Sequence, residues 1–288
     1  MELLLELLKS YDFTVVAIGT ILLAIASAFV GCMSLHKGQS LIGDTVGHST
    51  FPGIILAYML SQSRNPLILS IGAAIAGGVA YSFVLGMNRT SKIRLDACLA
   101  IILTGFFGLG MVLKSYIQGN KNYANASQSG LQNYIFGQAA YIRKDDVFLI
   151  LGAAIIVLIL FYIFYKELKL FVFDEQYAKS LGFRTSYLNL LLLLMVIILL
   201  SVGLKLVGAI LISSFLILPA VTANQWSCHL GKVLLISGVS AGVSAFIGTV
   251  ISSVEVGMST GPTIILVMGT FAFLSMVIGP YGFRNLKR

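Results

Sequence analysis

The run YLNLLLLLMVIILLSVG, residues 187–203, contains no charged side chain. It offers water no polar face, but it suits a helix that crosses a bilayer, which needs about 20 mostly apolar residues. Comparable runs recur at residues 13–33, 43–60, 66–87, 96–116, 147–165, 207–226, 233–252 and 263–279. Backbone N–H and C=O groups find no water in the hydrocarbon core, so only helices and closed barrels can cross it. Barrels are built from short alternating segments, and these runs do not alternate. The expected fold is all-α: a polytopic transmembrane helical bundle of about eight to nine spans. Residues 203–208 read either as a loop between two spans or as a kink within one bent element.

Composition agrees. Hydrophobic residues make up 58% of the 288 and charged residues only 10%, and the mean hydropathy is +0.95. Soluble domains carry about a quarter charged residues. The longest weakly apolar stretch, residues 118–146, is too short to bury a core of its own. Residues 1–288 therefore read as a single transmembrane domain. The first apolar segment has no small-residue cleavage site and reads as a retained helix. Before it, MELLLELLK is expected to lie as a short amphipathic helix in the interface.

Lysine and arginine set the expected orientation. Arg89, Lys92 and Arg94 crowd one loop; Lys166, Lys169, Lys179 and Arg184 crowd another; Arg284, Lys287 and Arg288 end the chain. Positive loops face the cytoplasm, which puts the N-terminus outside and the C-terminus inside. Lys114 and Lys121 fall on the outer side, against the trend. The net charge of +8 is thus mostly an orientation signal. It forms no basic patch, and a nucleic-acid partner is not expected. Cys32, Cys98 and Cys228 show no paired spacing and read as small apolar filler.

The loop KELKLFVFDEQYAKSLGFRTSYLN, residues 166–189, is cytoplasmic by the same charge argument. Phe173, Tyr177 and Leu181 recur every four residues and would share one helix face. Asp174 and Glu175 stand where a helix dipole favours negative charge, and Gly182 can close the helix in a left-handed turn. A short amphipathic helix over about 173–183 is expected at the membrane surface. It is either a plain interfacial connector or a docking element for a soluble subunit.

In SLIGDTVGHSTFPG, residues 40–53, Asp44 and His48 stand four apart at the head of an apolar run. In a helix they share one face. A carboxylate and an imidazole so placed can chelate a divalent cation. Ionisable groups inside a membrane are costly and usually serve transport. The same pair also fits a simple ion pair, or a pair near enough to the interface to stay wet. Two ligands do not close a metal site, so others would come from the bundle, a second copy or water. Pro52 has no N–H to bond the carbonyl of His48, which predicts a spare oxygen beside the imidazole. Pro219, in LILPAVTAN, is expected to break or kink its span; a broken helix can mark a transport path.

His36 and His229 adjoin expected loops and read as interfacial. Glu255 reads as outer-loop surface, and Lys205 as snorkelling to the outer interface. The sequence has no G-x-x-x-x-G-K-[ST] phosphate loop. It also lacks an HExxH motif. The chain is not expected to be an enzyme.

SLIGDTVGHSTFPGIILAYML resembles the Gly–Asp–x–x–x–His–x–x–x–Pro–Gly signature of metal-ion ABC transporter permeases, the membrane subunits of bacterial manganese, zinc and iron importers. LDACLAIILTGFFGLGMVLKS, LQNYIFGQ, FDEQYAKSLG, VGAILISSFLILPAVTA and STGPTIILV follow in that family's order. Gly47 stands where members often carry serine, and Cys98 where glycine is common.

The resemblance implies a permease pair, from two copies or one copy plus a related permease, in a bacterial cytoplasmic membrane. It implies two cytoplasmic ATPase subunits docking on a coupling helix that includes Asp174, Glu175, Tyr177, Ala178 and Gly182. It also implies an extracellular or periplasmic metal-binding protein, and Asp44 and His48 as ligands of the transported ion. No permanently bound cofactor is implied. Carboxylate plus imidazole suits manganese, iron or zinc and disfavours copper(I). Manganese is the leaning by family frequency. The rivals are a gradient-driven secondary metal transporter and a type II ABC permease for a chelate such as a siderophore or haem.

Overall fold

The computed structural model describes residues 11–63, 65–120, 144–254 and 258–283. The interfacial helix expected over 1–9, the LQNYIFGQ block, Glu255 and the cationic C-terminal tail lie outside the described residues, as does the side chain of Lys205. Among the described residues all regular structure is helical. The helices are α1 Tyr11–His36, α2 Ile42–Ser49, α3 Phe51–Ser61, α4 Pro66–Thr90, α5 Leu95–Gly119 and α6 Lys144–Ile163. They continue as α7 Tyr165–Phe173, α8 Glu175–Ser180, α9 Thr185–Val207, α10 Ala209–Asn224, α11 Leu230–Val254 and α12 Thr260–Ile278.

All nine apolar runs fall in helices, but among the described residues six helices are long and apolar enough to cross a membrane, and up to seven if the bent pair α6–α7 counts as one span. That is slightly below the expected eight to nine. Three local events account for the difference. The run over 43–60 is divided at Thr50 into α2 and α3. The run over 147–165 leads into a 71° bend between Ile163 and Tyr165. The run over 207–226 becomes α10, of 16 residues. Gly208, at φ +91°, separates α9 from α10, so residues 203–208 hold a real helix boundary. A side chain is strained at that φ.

α1 is the hub. It packs on α6, α9, α10 and α11, and Leu23, Ala24, Ala26, Ala28, Val30 and Met33 along it are fully buried. Its small residues let neighbours approach closely. A Cβ on Gly31 would run into the backbone of Leu216 in α10. A smaller second core gathers Phe51, Ile54, Ile55 and Tyr58 of α3 with Leu69 and Ala73 of α4. There Gly53 and Gly72 face each other so closely that a Cβ on either would meet the other's backbone. Many large apolar side chains point away from the bundle, among them Leu60, Ile75, Phe148 and Leu266, as lipid-facing helices require.

Candidate cation site

The site starts in a tight turn. After α1, the N–H groups of Lys37, Gly38 and Gln39 bond back to Met33, Leu35 and Ser34, and Gly38 adopts φ +74°. The chain reverses within residues 37–41 and enters α2. Asp44 lies in the first turn of α2 and His48 in its last, the ends that the helix dipole favours for an anion and a cation respectively.

His48 Nε2 stands 3.5 Å from Asp44 Oδ1. A charge-assisted hydrogen bond would be about 2.7–2.9 Å. Two ligand atoms each about 2.1 Å from one ion, at an angle of about 110°, are separated by roughly this distance. The side chains are 15% exposed for His48 and 35% for Asp44, shielded by the bundle yet reachable from one side. Ser213 Oγ of α10 donates to Asp44 Oδ1 at 3.3 Å. Phe107 of α5 sets its ring edge-on to the imidazole, with centroids 5.1 Å apart and planes at 85°, and Phe51 packs 6.0 Å beyond it. These contacts fix the imidazole from one flank and the carboxylate from the other.

Glycines let the walls close. A Cβ on Gly43 would sit 2.7 Å from Leu216 Cδ1 of α10, and one on Gly110 of α5 would sit 2.5 Å from Phe51 Cδ1. Gly47, the departure from the family signature, lies buried on the same short helix.

His48 Nδ1 is buried and has no hydrogen-bond partner among the described residues. Metal-bound imidazoles usually donate their second ring N–H to an oxygen. A ligating His48 therefore needs that oxygen from water or from a second chain. No group of three or more His, Cys, Asp and Glu side chains occurs among the described residues. Among the described residues the site thus offers a carboxylate, an imidazole and a supporting hydroxyl. A cation held there would have positions left for further ligands.

Pro52 stands in the first turn of α3, where its missing N–H is tolerated. The expected spare oxygen does not follow. A backbone N–H at the α2 C-cap reaches the His48 carbonyl, and the backbone stays right-handed helical through Thr50. Pro219 likewise does not end its helix, since α10 runs on to Asn224. His36 is held inside its own helix, with Nδ1 2.7 Å from the Cys32 carbonyl and its ring 5.5 Å from that of Phe173. His229 is exposed just before α11. Cys32 and Cys98 are buried and Cys228 is exposed, all as free thiols.

The expected surface helix over 173–183 is two pieces. α7 ends at Phe173, Asp174 caps the next helix by accepting from the Tyr177 N–H at 2.8 Å, and α8 covers only Glu175–Ser180. Gly182 closes it at φ +86°, as its sequence position indicated, with Phe183 N–H bonding the Ala178 carbonyl at 3.1 Å. Ala178 is buried, whereas Phe173, Tyr177 and Leu181 are all more than half exposed. Three residues that sequence reasoning passed over complete the picture: Ser213, Phe107 and Lys37. Lys37 Nζ is 2.6 Å from Glu175 Oε2. In sequence they carry no spacing signal, because each meets its partner from a distant element.

The chain has relatives over almost its whole length. It is 36% identical over 280 residues to the zinc transport system membrane protein TroC of Treponema pallidum, covering 97% of this chain and 93% of that protein. It is 38% identical over 262 residues to the manganese transport system membrane protein MntC of Bacillus subtilis. That match covers 91% of this chain but spans only 60% of the relative's length. Among solved structures it superposes on PsaBC from Streptococcus pneumoniae, determined in complex with Fab. The TM-score is 0.85 at 27% identity, over 99% of both chains. Residues 10–279, which hold α2, its Asp–His pair and every helix around it, match one family throughout, and the chain belongs to that family, the ABC 3 transport family.

Proposed function

We propose that this chain is the permease subunit of an ATP-driven importer for divalent transition-metal ions in a bacterial cytoplasmic membrane. One observation carries the reading: Asp44 and His48 stand 3.5 Å apart on one turn of helix inside a largely apolar bundle. Two ionisable groups there are costly unless they serve a passing ion. Asp44 supplies charge and a hard oxygen, and His48 a nitrogen of intermediate softness. Manganese is the favoured ion, with zinc or iron as alternatives; TroC and MntC are named for zinc and manganese transport.

The site is completed by the same pair from a second permease copy or from a related permease. A metal-binding protein outside the membrane delivers the ion. Two cytoplasmic ATPase subunits dock on the exposed face of Phe173, Tyr177 and Leu181, over the segment that includes Asp174, Glu175, Ala178 and Gly182. ATP-driven movement of that segment opens the path inward. The permease itself forms and breaks no covalent bond.

Uptake by the assembled transporter in vesicles tests this. The parent should import manganese only with ATP, while Asp44→Ala and His48→Ala should assemble normally and lose uptake. If both variants import like the parent, the site is misplaced. Uptake by the permease alone, driven by an ion gradient without ATP, would replace the reading with a secondary transporter. Import of an intact chelate in preference to the free ion would replace it with a chelate permease.

A further inference from the structure

The segment proposed to receive the ATPase and the helix that holds Asp44 and His48 are joined by one side chain. Lys37 is the first residue after α1, seven positions before Asp44. Its ammonium lies 2.6 Å from Glu175 Oε2 at the first residue of α8. It also lies 3.9 Å from the centroid of the Phe171 ring in α7. The Lys37 side chain is only 15% exposed and that of Glu175 40%, so the contact is seated on the lysine side and open to solvent on the other. A second contact, between the rings of His36 and Phe173, runs beside it.

Behind Lys37 the chain is stiff. Three backbone hydrogen bonds close the turn over residues 37–39, and Ile42 and Thr45 bond back to Gln39 and Leu41 to start α2. On its other side, α1 is locked to α10 at the Gly31–Leu216 contact, and α10 carries Ser213, which holds Asp44. A displacement of Glu175 therefore meets a joint that passes it on to α2 rather than absorbing it. By contrast, α8 is short, six residues with Ala178 as its buried member, and it packs on α7 and α9.

We propose that Lys37 is the residue that transmits movement of α8 to the cation ligands, through its bridge to Glu175 and the closed 37–41 turn. It is a positioning residue, because it touches no ion. This rests on the proposed function. Single changes along a connected set of packed and hydrogen-bonded contacts can modulate the coupling between two sites by roughly 2–30-fold.

The test uses the assembled transporter in proteoliposomes, with ATP hydrolysis and manganese uptake measured together. Lys37→Met keeps the apolar stem on Phe171 and removes the charge; Glu175→Gln removes the bridge from the exposed side. Lys37→Met should leave ATP hydrolysis running while ions imported per ATP fall about tenfold, and Glu175→Gln, which lies in the docking segment, should lower ions imported per ATP by the same factor whatever its hydrolysis rate. The double variant should fall no further than either single one, since both break one contact. Lys37→Arg should restore the ratio. Lys179→Ala should stay coupled, since Lys179 bonds Glu175 from within α8 itself, at 2.8 Å. Manganese affinity, read in detergent without nucleotide, should be unchanged in all of them. If Lys37→Met and Glu175→Gln both import within twofold of the parent per ATP, the proposal is wrong. A fall in manganese affinity equal to the fall in uptake would also overturn it, by making Lys37 a support of the site alone. Failure of the broader reading looks different: the parent itself would then show no ATP-dependent manganese uptake.

Discussion

The hydroxyl of Ser213 donates to Oδ1 of Asp44 across 3.3 Å, from a helix 169 residues further along the chain. The bond leaves the other carboxylate oxygen, and the remaining lone pairs of Oδ1, for an ion. Ser213 is 7% exposed, so water does not readily replace it. Residues that orient a ligand typically matter by about 10–100-fold in affinity. Ser213→Ala should therefore raise the KM for manganese uptake about tenfold while the maximal rate changes little. An unchanged KM would show that Asp44 is oriented by something else.

The pair His48–Asp44 mixes a nitrogen and an oxygen ligand. Replacing the imidazole by a second carboxylate hardens the site. His48→Asp should keep some manganese uptake but weaken zinc as a competitor severalfold. Competition of unlabelled zinc against labelled manganese uptake reads this directly. Equal loss of both ions would mean that His48 holds the path open rather than choosing the ion.

Much of this architecture is written locally. Apolar runs announce helices, Gly182 announces its left-handed turn, and the four-residue spacing of Asp44 and His48 puts them on one face, because each rule acts within a few residues. What stays hidden is how distant elements meet. Ser213 is one serine among small residues in an apolar run, and Lys37 is one loop lysine among several; neither shows its partner in sequence. The span count ran high for a related reason. Apolar length marks a helix, but the division at Thr50 and the 71° bend after Ile163 come from local backbone bonding that hydropathy does not register. Pro52 stands beside the α2–α3 division but does not free the His48 carbonyl, and Pro219 lies within α10 without ending it.

The Gly53–Gly72 contact fixes how α3 leans on α4. A methyl group at either position would meet backbone, which cannot swing aside. Overpacking of this kind costs about 1–3 kcal/mol. Gly53→Ala should lower the Tm in detergent and reduce the yield of folded protein. Gly86→Ala, in the same α4 but with nothing within 4 Å of the added carbon, is the control. It should be neutral or stabilising by about 0.5–1 kcal/mol, as alanine is in a helix. Equal loss in the two would place the effect outside the Gly53–Gly72 contact.

Glu175 gives a pH test of the α8 anchor. Hydrogen bonds from Lys179 and then Lys37 hold its carboxyl down from 4.5 to about 2. The acid is depressed, so the bridge contributes fully above about 4.5 and is lost only as pH falls from there through about 2. Glu175 is 40% exposed, and solvent screening keeps the contribution modest. Hydrogen exchange over α8, corrected for intrinsic rates, should therefore show level protection from pH 8 down to pH 5. Glu175→Gln should lower protection by the same factor throughout that range, because the bridge is charged at every point of it. Protection that Glu175→Gln left unchanged across that range would mean that α8 is anchored by another contact.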